Sequence, residues 1–305
     1  MSELTKENKE HQFLIGMLVS MFCWGLSWAS GKVLSSYGAT TSIAALRLSM
    51  TFVALLGILF LMKEKMKVTS NGWLSLFAAS VCMTGYNYLF FEGLIHGKAG
   101  AGGVLVTTLN PIISYGIMLL VSVRRPTKNE TIGLMIGIIA GAVLLKVWDN
   151  WQGILSSGNM YFVMATFTWA ILSLFTSKSS RYGSPIAYSL WMYGICSVLM
   201  LIFTSVASNK SLYEASDTLF WLNMFFSAVI TTAFATTFFF VATARLGAGK
   251  ASSFIFLVPF SAALGSWIFL LEVPQNHTII GGLLGIAAVY ILNKKVKQEE
   301  IKSAP

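Results

Sequence analysis

From residue 13 onward the chain alternates long apolar runs with short polar stretches. Each run has the length a bilayer demands, because a hydrocarbon core of about 30 Å takes roughly 17–25 residues of helix to cross. Ten runs can be read, at about 13–34, 41–62, 72–95, 100–122, 131–148, 158–177, 185–206, 219–243, 251–271 and 277–293. The gaps between them are short, which leaves no room for an inserted soluble domain. The pattern predicts an all-α polytopic membrane protein of ten transmembrane helices.

The runs form two sets of five. Pro126-Thr127, Ile132-Gly133, Gly137-Ile138 and Ala140 recur as Pro274-Gln275, Ile280-Gly281, Gly285-Ile286 and Ala288 at an offset of 148, and Pro111 meets Pro259 at the same offset. Nearer the N-terminus the offset is 145, where Trp24 meets Trp169 and Tyr37-Gly38 meets Tyr182-Gly183. The predicted organisation is a tail at 1–12, a first five-helix unit at 13–148, a linker at 149–157, a second unit at 158–293 and a basic tail at 294–305. Because five is odd, the second unit enters the membrane from the opposite side, so the two are inverted repeats. Proteins built this way carry solutes through a site near the midplane between the repeats, with access alternating as one bundle rocks against the other.

Composition agrees with the pattern, at 55% hydrophobic and 11% charged, where soluble domains carry about a quarter charged residues. The net charge of +9 resembles that of a polyanion binder until its placement is read. With a cytoplasmic N-terminus, sixteen of the twenty-one Lys and Arg residues fall in cytoplasmic segments, among them Lys63, Lys65, Lys67, Arg124, Arg125, Lys128, Arg245 and Lys250. This is the positive-inside bias. It places both termini in the cytoplasm and argues against a nucleic-acid partner. Cys23, Cys82 and Cys196 lie inside runs with no metal-ligand spacing, and read as small apolar fillers. The first run is not a cleaved signal, because its leader has three Glu against two Lys and Trp24 has a repeat partner.

Arg245-Leu-Gly-Ala-Gly-Lys-Ala-Ser-Ser-Phe-Ile-Phe-Leu-Val-Pro259, the apolar helix ending at Glu272, Trp24-Gly25, Arg47 and the glycine-rich fifth and tenth runs resemble the EamA-type branch of the drug/metabolite transporter superfamily. The resemblance spans residues 13–293; the first-half counterpart of the signature, Gly97–Gly103, is degenerate and richer in glycine. It implies ten helices, cytoplasmic termini, a central cavity and export of metabolites such as amino acids across the cytoplasmic (inner) membrane.

Candidate cavity residues are the aromatic and hydroxyl side chains at run centres: Trp24, Ser27, Trp28, Tyr86, Asn87, Phe90, Trp169, Ser173, Thr236, Thr237 and Phe240. Such a wall suits a partly apolar solute oriented by a few polar groups, although aromatics at these positions also serve as ordinary packing. Trp24 and Trp169 are expected on opposite walls. Asn110 either ties helices together or faces the cavity. Pro111 and Pro259 kink the fourth and ninth helices, statically or as part of the moving bundle. Gly133, Gly137 and Gly141, with Gly281 and Gly285, form small-residue faces for packing within each repeat or for a homodimer seam. Trp73, Trp148, Trp151, Trp221 and Tyr213 read as an interfacial belt.

Glu92 is the candidate coupling residue, a carboxylate near membrane depth that either serves a proton or a substrate amine, or reaches water at the helix end. No nucleotide-hydrolysis motif is present, so the expected function is a secondary transporter exporting small amphiphilic solutes, with the bilayer and a small-molecule substrate as partners and no cofactor or metal. The alternatives are a membrane-embedded lipid- or isoprenoid-modifying enzyme and a non-transporting assembly factor. The enzyme lacks the clustered carboxylates or histidines it needs, since His11, His96 and His277 are scattered and no Asp lies in a run. The assembly factor lacks an exposed domain.

Overall fold

The computed structural model describes residues 3–122, 125–149, 158–239, 255 and 257–293. The first half supplies α1 (Glu3–Leu34), α2 (Thr40–Met62), α3 (Trp73–His96), α4 (Ala99–Ser122) and α5 (Lys128–Leu145). The second half supplies α6 (Asn159–Thr176), α7 (Pro185–Ile202), α8 (Val206–Ala215) and α9 (Thr218–Phe225). α9 runs directly into a π-helical segment, Phe226–Thr236, and α10 (Leu257–Leu270) and α11 (Asn276–Asn293) follow. Among the described residues strand-like pairing is confined to one isolated bridge, Val68 to Gly183.

Among the described residues seven spans are long and apolar enough to cross a bilayer: Ile15–Leu34, Thr40–Met62, Ser70–His96, Lys128–Leu145, Asn159–Arg181, Pro185–Ile202 and Thr218–Phe239. The three other predicted runs each hold a helix, α4, α10 and α11. Helix starts follow local chemistry. Thr127 and Glu130 close a reciprocal capping box on α5, Ser184 caps α7 with Pro185 in its first turn, and Asp217 caps α9. α2 and α5 end where Lys63 and Lys146 turn into the left-handed region.

Two elements depart from the apolar pattern. α1 begins at Glu3, so helix extends back into the stretch expected to be a tail. α8 occupies a gap, because its ten residues are too polar to register as a run and only Leu212 among them is buried. The linker beyond Asp149, residues 240–254 and the tail from 294 lie outside the described residues.

α5 packs on α11, α3 on α6, α1 on α10, α2 on α7, and α4 on both α6 and α10. The π segment packs on α1 and α2, and α3 also meets α7. Large apolar side chains face outward all round, among them Phe60, Leu74, Leu120 and Ile202. Water would not tolerate so broad an apolar surface, whereas acyl chains solvate it. Trp73, Trp148, Trp221 and Tyr213 are also outward-facing, and Trp151 lies outside the described residues.

Small residues set the closest approaches. A Cβ on Gly25 would come within 1.9 Å of Ser261 Oγ, so α1 can seat on α10 only as glycine. The glycine faces of α5 and α11 are used inside the chain. Gly133 meets Leu292, Gly137 meets Ile112, Gly281 meets Leu144 and Gly285 meets Thr108. These glycines pack against the chain's own helices, in part across the two halves rather than within each.

The repeat-matched Tyr-Gly pairs tie loops together at opposite ends of α2. At one end the Tyr37 hydroxyl donates to Asp217 at 2.7 Å. At the other the Thr69 N–H donates to the Tyr182 carbonyl at 2.8 Å beside the Val68–Gly183 bridge.

Candidate functional site

Near the middle of α1, Trp24 and Trp28 lie one turn apart and face the same way. Trp24 meets Trp169 of α6 edge to face at 6.2 Å, and Trp169 meets Tyr86 of α3 at 4.6 Å. Tyr86 stacks on Phe90 at 6.0 Å, and Phe90 meets Trp28 at 4.9 Å, which closes the circuit back to α1. Five aromatic side chains from three helices thus form one run of contacts that begins and ends on α1, with Phe162 packed on Trp28 and Phe239 on Trp24. Tilted and edge-on arrangements of this kind each add about 0.5–1.5 kcal/mol beyond simple burial.

Polar groups join this circuit from the π segment and from α2. Trp24 Nε1–H donates to Thr236 Oγ1 at 3.2 Å. Arg47, only 8% exposed, donates to Thr232 Oγ1 at 3.0 Å and, at the limit of hydrogen bonding, to Asn87 Oδ1 at 3.5 Å. Its guanidinium lies 5.3 Å and 5.6 Å from the ring centres of Phe90 and Phe91, within cation–π range. Asn87 is held in turn by a bond from its amide to the Met83 carbonyl. A buried cation therefore touches the aromatic circuit through Phe90.

The remaining sequence candidates divide clearly. Trp24, Trp28, Tyr86, Asn87, Phe90, Trp169 and Thr236 are brought together. Trp24 and Trp169 touch rather than stand across a gap, which replaces the expectation of opposite walls with direct packing. Ser27 and Ser173 return their hydroxyls to the carbonyls of Trp24 and Trp169 on their own helices. Thr237 is buried beside Thr236, and Phe240 lies outside the described residues. Asn110 accepts from Ser114 one turn along α4, where Pro111 removes a backbone donor. Pro259 sits in the first turn of α10 as described. Glu92 lies 3.6 Å from the half-exposed His96 near the end of α3, rather than beside Arg47.

Arg47 stands at the centre although it is not among the cavity candidates that position within the runs singles out. The available signal was a lone arginine in the middle of an apolar run, which is costly in lipid and marks function by default. A second feature lies at the C-terminal end of α3. Lys32 Nζ donates to the carbonyls of Leu94 and Gly97 at the C-terminus of α3, and the Glu272 carboxylate accepts from the Ala99 and Gly100 N–H groups at the start of α4. Each charge offsets the dipole end it faces. Next to this clasp lies a cavity of about 520 Å³ lined by His96, Lys98, Lys146, Asp149, Glu272 and His277, among others.

The EamA-like transporter family matches residues 12–146 and again residues 156–294. The chain belongs to this family. Its apolar spans and this membership make it an integral membrane protein of a transporter family. Similar proteins include a WAT1-related chloroplastic protein of Arabidopsis thaliana, 22% identical over 91% of this chain and 68% of that protein. An uncharacterised transporter of Synechocystis sp. is 22% identical over 95% of this chain and 92% of its own length. A probable terminal-alkyne amino-acid exporter of Streptantibioticus cattleyicolor is 24% identical over 70% of each chain. A crystal structure with 12% sequence identity superimposes with a TM-score of 0.64 over 95% of this chain and 99% of the other, a likeness of fold alone.

Proposed function

We propose that the chain is a secondary transporter of the cytoplasmic membrane that exports small amphiphilic metabolites, amino acids foremost, by alternating access between two inverted five-helix repeats. One observation carries the reading. The aromatic circuit is built by α1 and α3 of the first half and α6 of the second, with Arg47 wedged between α2, α3 and the π segment. Parting α6 from α1 and α3 breaks the Trp24–Trp169 and Tyr86–Trp169 contacts and opens a path at mid-depth. Restoring them closes it.

The packing pattern supports the repeat. Exchanging each helix for its counterpart turns the α3–α6 contact into that of α1 with the π segment, α1–α10 into α4–α6, and α3–α7 into that of α2 with the π segment. The pairs α5–α11, α2–α7 and α4–α10 map onto themselves. The two separate family matches, 12–146 and 156–294, follow the same division. The named amino-acid exporter among the relatives supports the solute class. The charge bias of the loops supports cytoplasmic termini.

The test compares metabolites in the medium of cells with and without overexpression of the full chain. An amino acid or related amphiphile should accumulate outside overexpressing cells, and Trp169→Ala should abolish that difference without loss of membrane-inserted protein. An unchanged medium profile at verified expression would remove the export reading.

A further inference from the structure

Arg47 is the group whose chemistry the packing does not complete. Its side chain is more than nine-tenths buried, and its two hydrogen-bond partners, Asn87 and Thr232, are neutral. Its Nε–H has no partner among the described residues. Guanidinium offers five donors in a planar fork, so most of that capacity is unspent. A buried charge ordinarily survives only when a counter-charge and hydrogen bonds compensate it.

The carboxylates among the described side chains do not supply that counter-charge. Glu92 faces His96, Glu130 closes the cap of α5, and Asp149 pairs with Lys146. Glu214 pairs with Lys210, Asp217 caps α9, and Glu272 caps α4. Glu64 lies exposed beyond the end of α2, about 25 Å along the helix from Arg47 at the usual rise per residue. Among the described residues the guanidinium is therefore left facing aromatic rings and neutral oxygens.

We propose that Arg47 is the carboxylate-binding residue of the solute site, so that the exported solute carries a carboxylate next to an apolar or aromatic body. This rests on the transport reading above and narrows it. A carboxylate matches the guanidinium fork with two parallel hydrogen bonds and neutralises its charge. The rings of Phe90, Tyr86 and Trp28, in contact with the cation or with one another, supply the surface for the apolar body. Two further buried hydroxyls on the same π segment, Ser227 and Thr231, have no partner among the described residues and offer acceptors for an ammonium group. A solute with an amine and no carboxylate meets a like charge at Arg47 and is refused.

The experiment uses the full chain in proteoliposomes, with radiolabelled L-phenylalanine as the counterflow probe and phenylpropionate, L-phenylalaninamide and phenylethylamine as competitors. Phenylpropionate should compete with phenylalanine, and the amide and the amine should be weaker by about tenfold or more, the ratio expected for losing one charge-assisted contact. Arg47→Lys keeps the charge and removes the fork, and should erase most of that preference while the protein stays monodisperse. Should the variant not fold, the competitor ranking in the wild-type protein decides alone. Equal competition by all three compounds, or an unchanged ranking in Arg47→Lys, overturns the assignment and leaves transport standing. No phenylalanine flux and no competition in wild-type vesicles overturns this assignment together with the proposed solute class.

Discussion

α3 and the span made of α9 and the π segment are each third in their set of five apolar runs, yet they are wound differently. α3 is one regular helix of 24 residues that starts at Trp73 behind Gly72, without a side-chain cap. Its counterpart starts under the Asp217 cap, runs eight residues as α-helix, and then continues for eleven residues in π winding. The hydroxyls record the change. On α3, Ser80 and Thr84 return to carbonyls four residues back, at Leu76 and Ser80. On the π segment, Thr232 and Thr236 return to carbonyls five residues back, at Ser227 and Thr231. In that register their oxygens also accept from Arg47 and from Trp24. Winding, rather than composition, decides which hydroxyls serve the site, in keeping with the frequent occurrence of π turns at functional positions.

The sharpest way to break this comparison is to remove one holder of Arg47 from each span. Thr232→Val deletes the 3.0 Å bond from a buried cation and should cost roughly 2 kcal/mol, as expected for hydrogen bonds to charged groups. Asn87→Leu removes the 3.5 Å contact to the cation and a neutral 2.9 Å bond to the Met83 carbonyl on its own helix. It should cost less, because the long bond is already weak and a neutral one is worth about 1 kcal/mol. Denaturation midpoints in detergent measure both. A larger loss for Asn87→Leu would show that α3, not the π segment, seats the arginine.

A smaller difference should separate the two repeat-matched tryptophans. Trp24 donates to Thr236, so Trp24→Phe loses a neutral hydrogen bond of about 1 kcal/mol. Trp169 contributes ring contacts to Trp24 and Tyr86, which phenylalanine partly retains. Trp169→Phe should therefore fall below Trp24→Phe in the same measurement. Equal losses would mean that the ring contacts, not the bond to the π segment, give Trp24 its value.

The smallest expected effect lies at the helix start that α3 lacks. The backbone N–H of Phe220, and after it the Tyr37 hydroxyl, hold the Asp217 carboxyl below its ordinary value. A carboxyl depressed in the folded state contributes stability above its unfolded pKa and loses it as pH falls through the folded value. Asp217→Asn should remove that part of the acid sensitivity while keeping a capping oxygen. The check is the slope of the thermal midpoint against pH on the acid side of neutrality. An unaltered slope would show that the cap carries no linked proton.

Much of this was legible in the residues. The helices at the apolar runs follow from a local rule, that backbone groups in lipid must bond within their own segment. Tyr86, Asn87 and Phe90 could be grouped because their spacing places them on neighbouring parts of one helix, and Trp24 with Trp28 for the same reason. The repeat offset singled out Trp169 as the partner of Trp24. α8 escaped because ten polar residues carry no apolar run. The faces of Ser27 and Ser173 could not be told from spacing, since a hydroxyl in a helix bonds its own backbone as readily as a solute.

The sequence alone determined the membrane setting, the helices at the apolar runs, the family and most of the aromatic circuit, because length, hydropathy and helical spacing are local properties. The tertiary structure decided where Arg47 sits, that Trp24 and Trp169 touch, that one span turns to π winding, and that Lys32 and Glu272 clasp the α3–α4 turn. These rest on bonds between distant residues, 185 positions apart for Arg47 and Thr232 and 212 for Trp24 and Thr236. No local spacing encodes such pairs; they exist only once whole helices have found their neighbours.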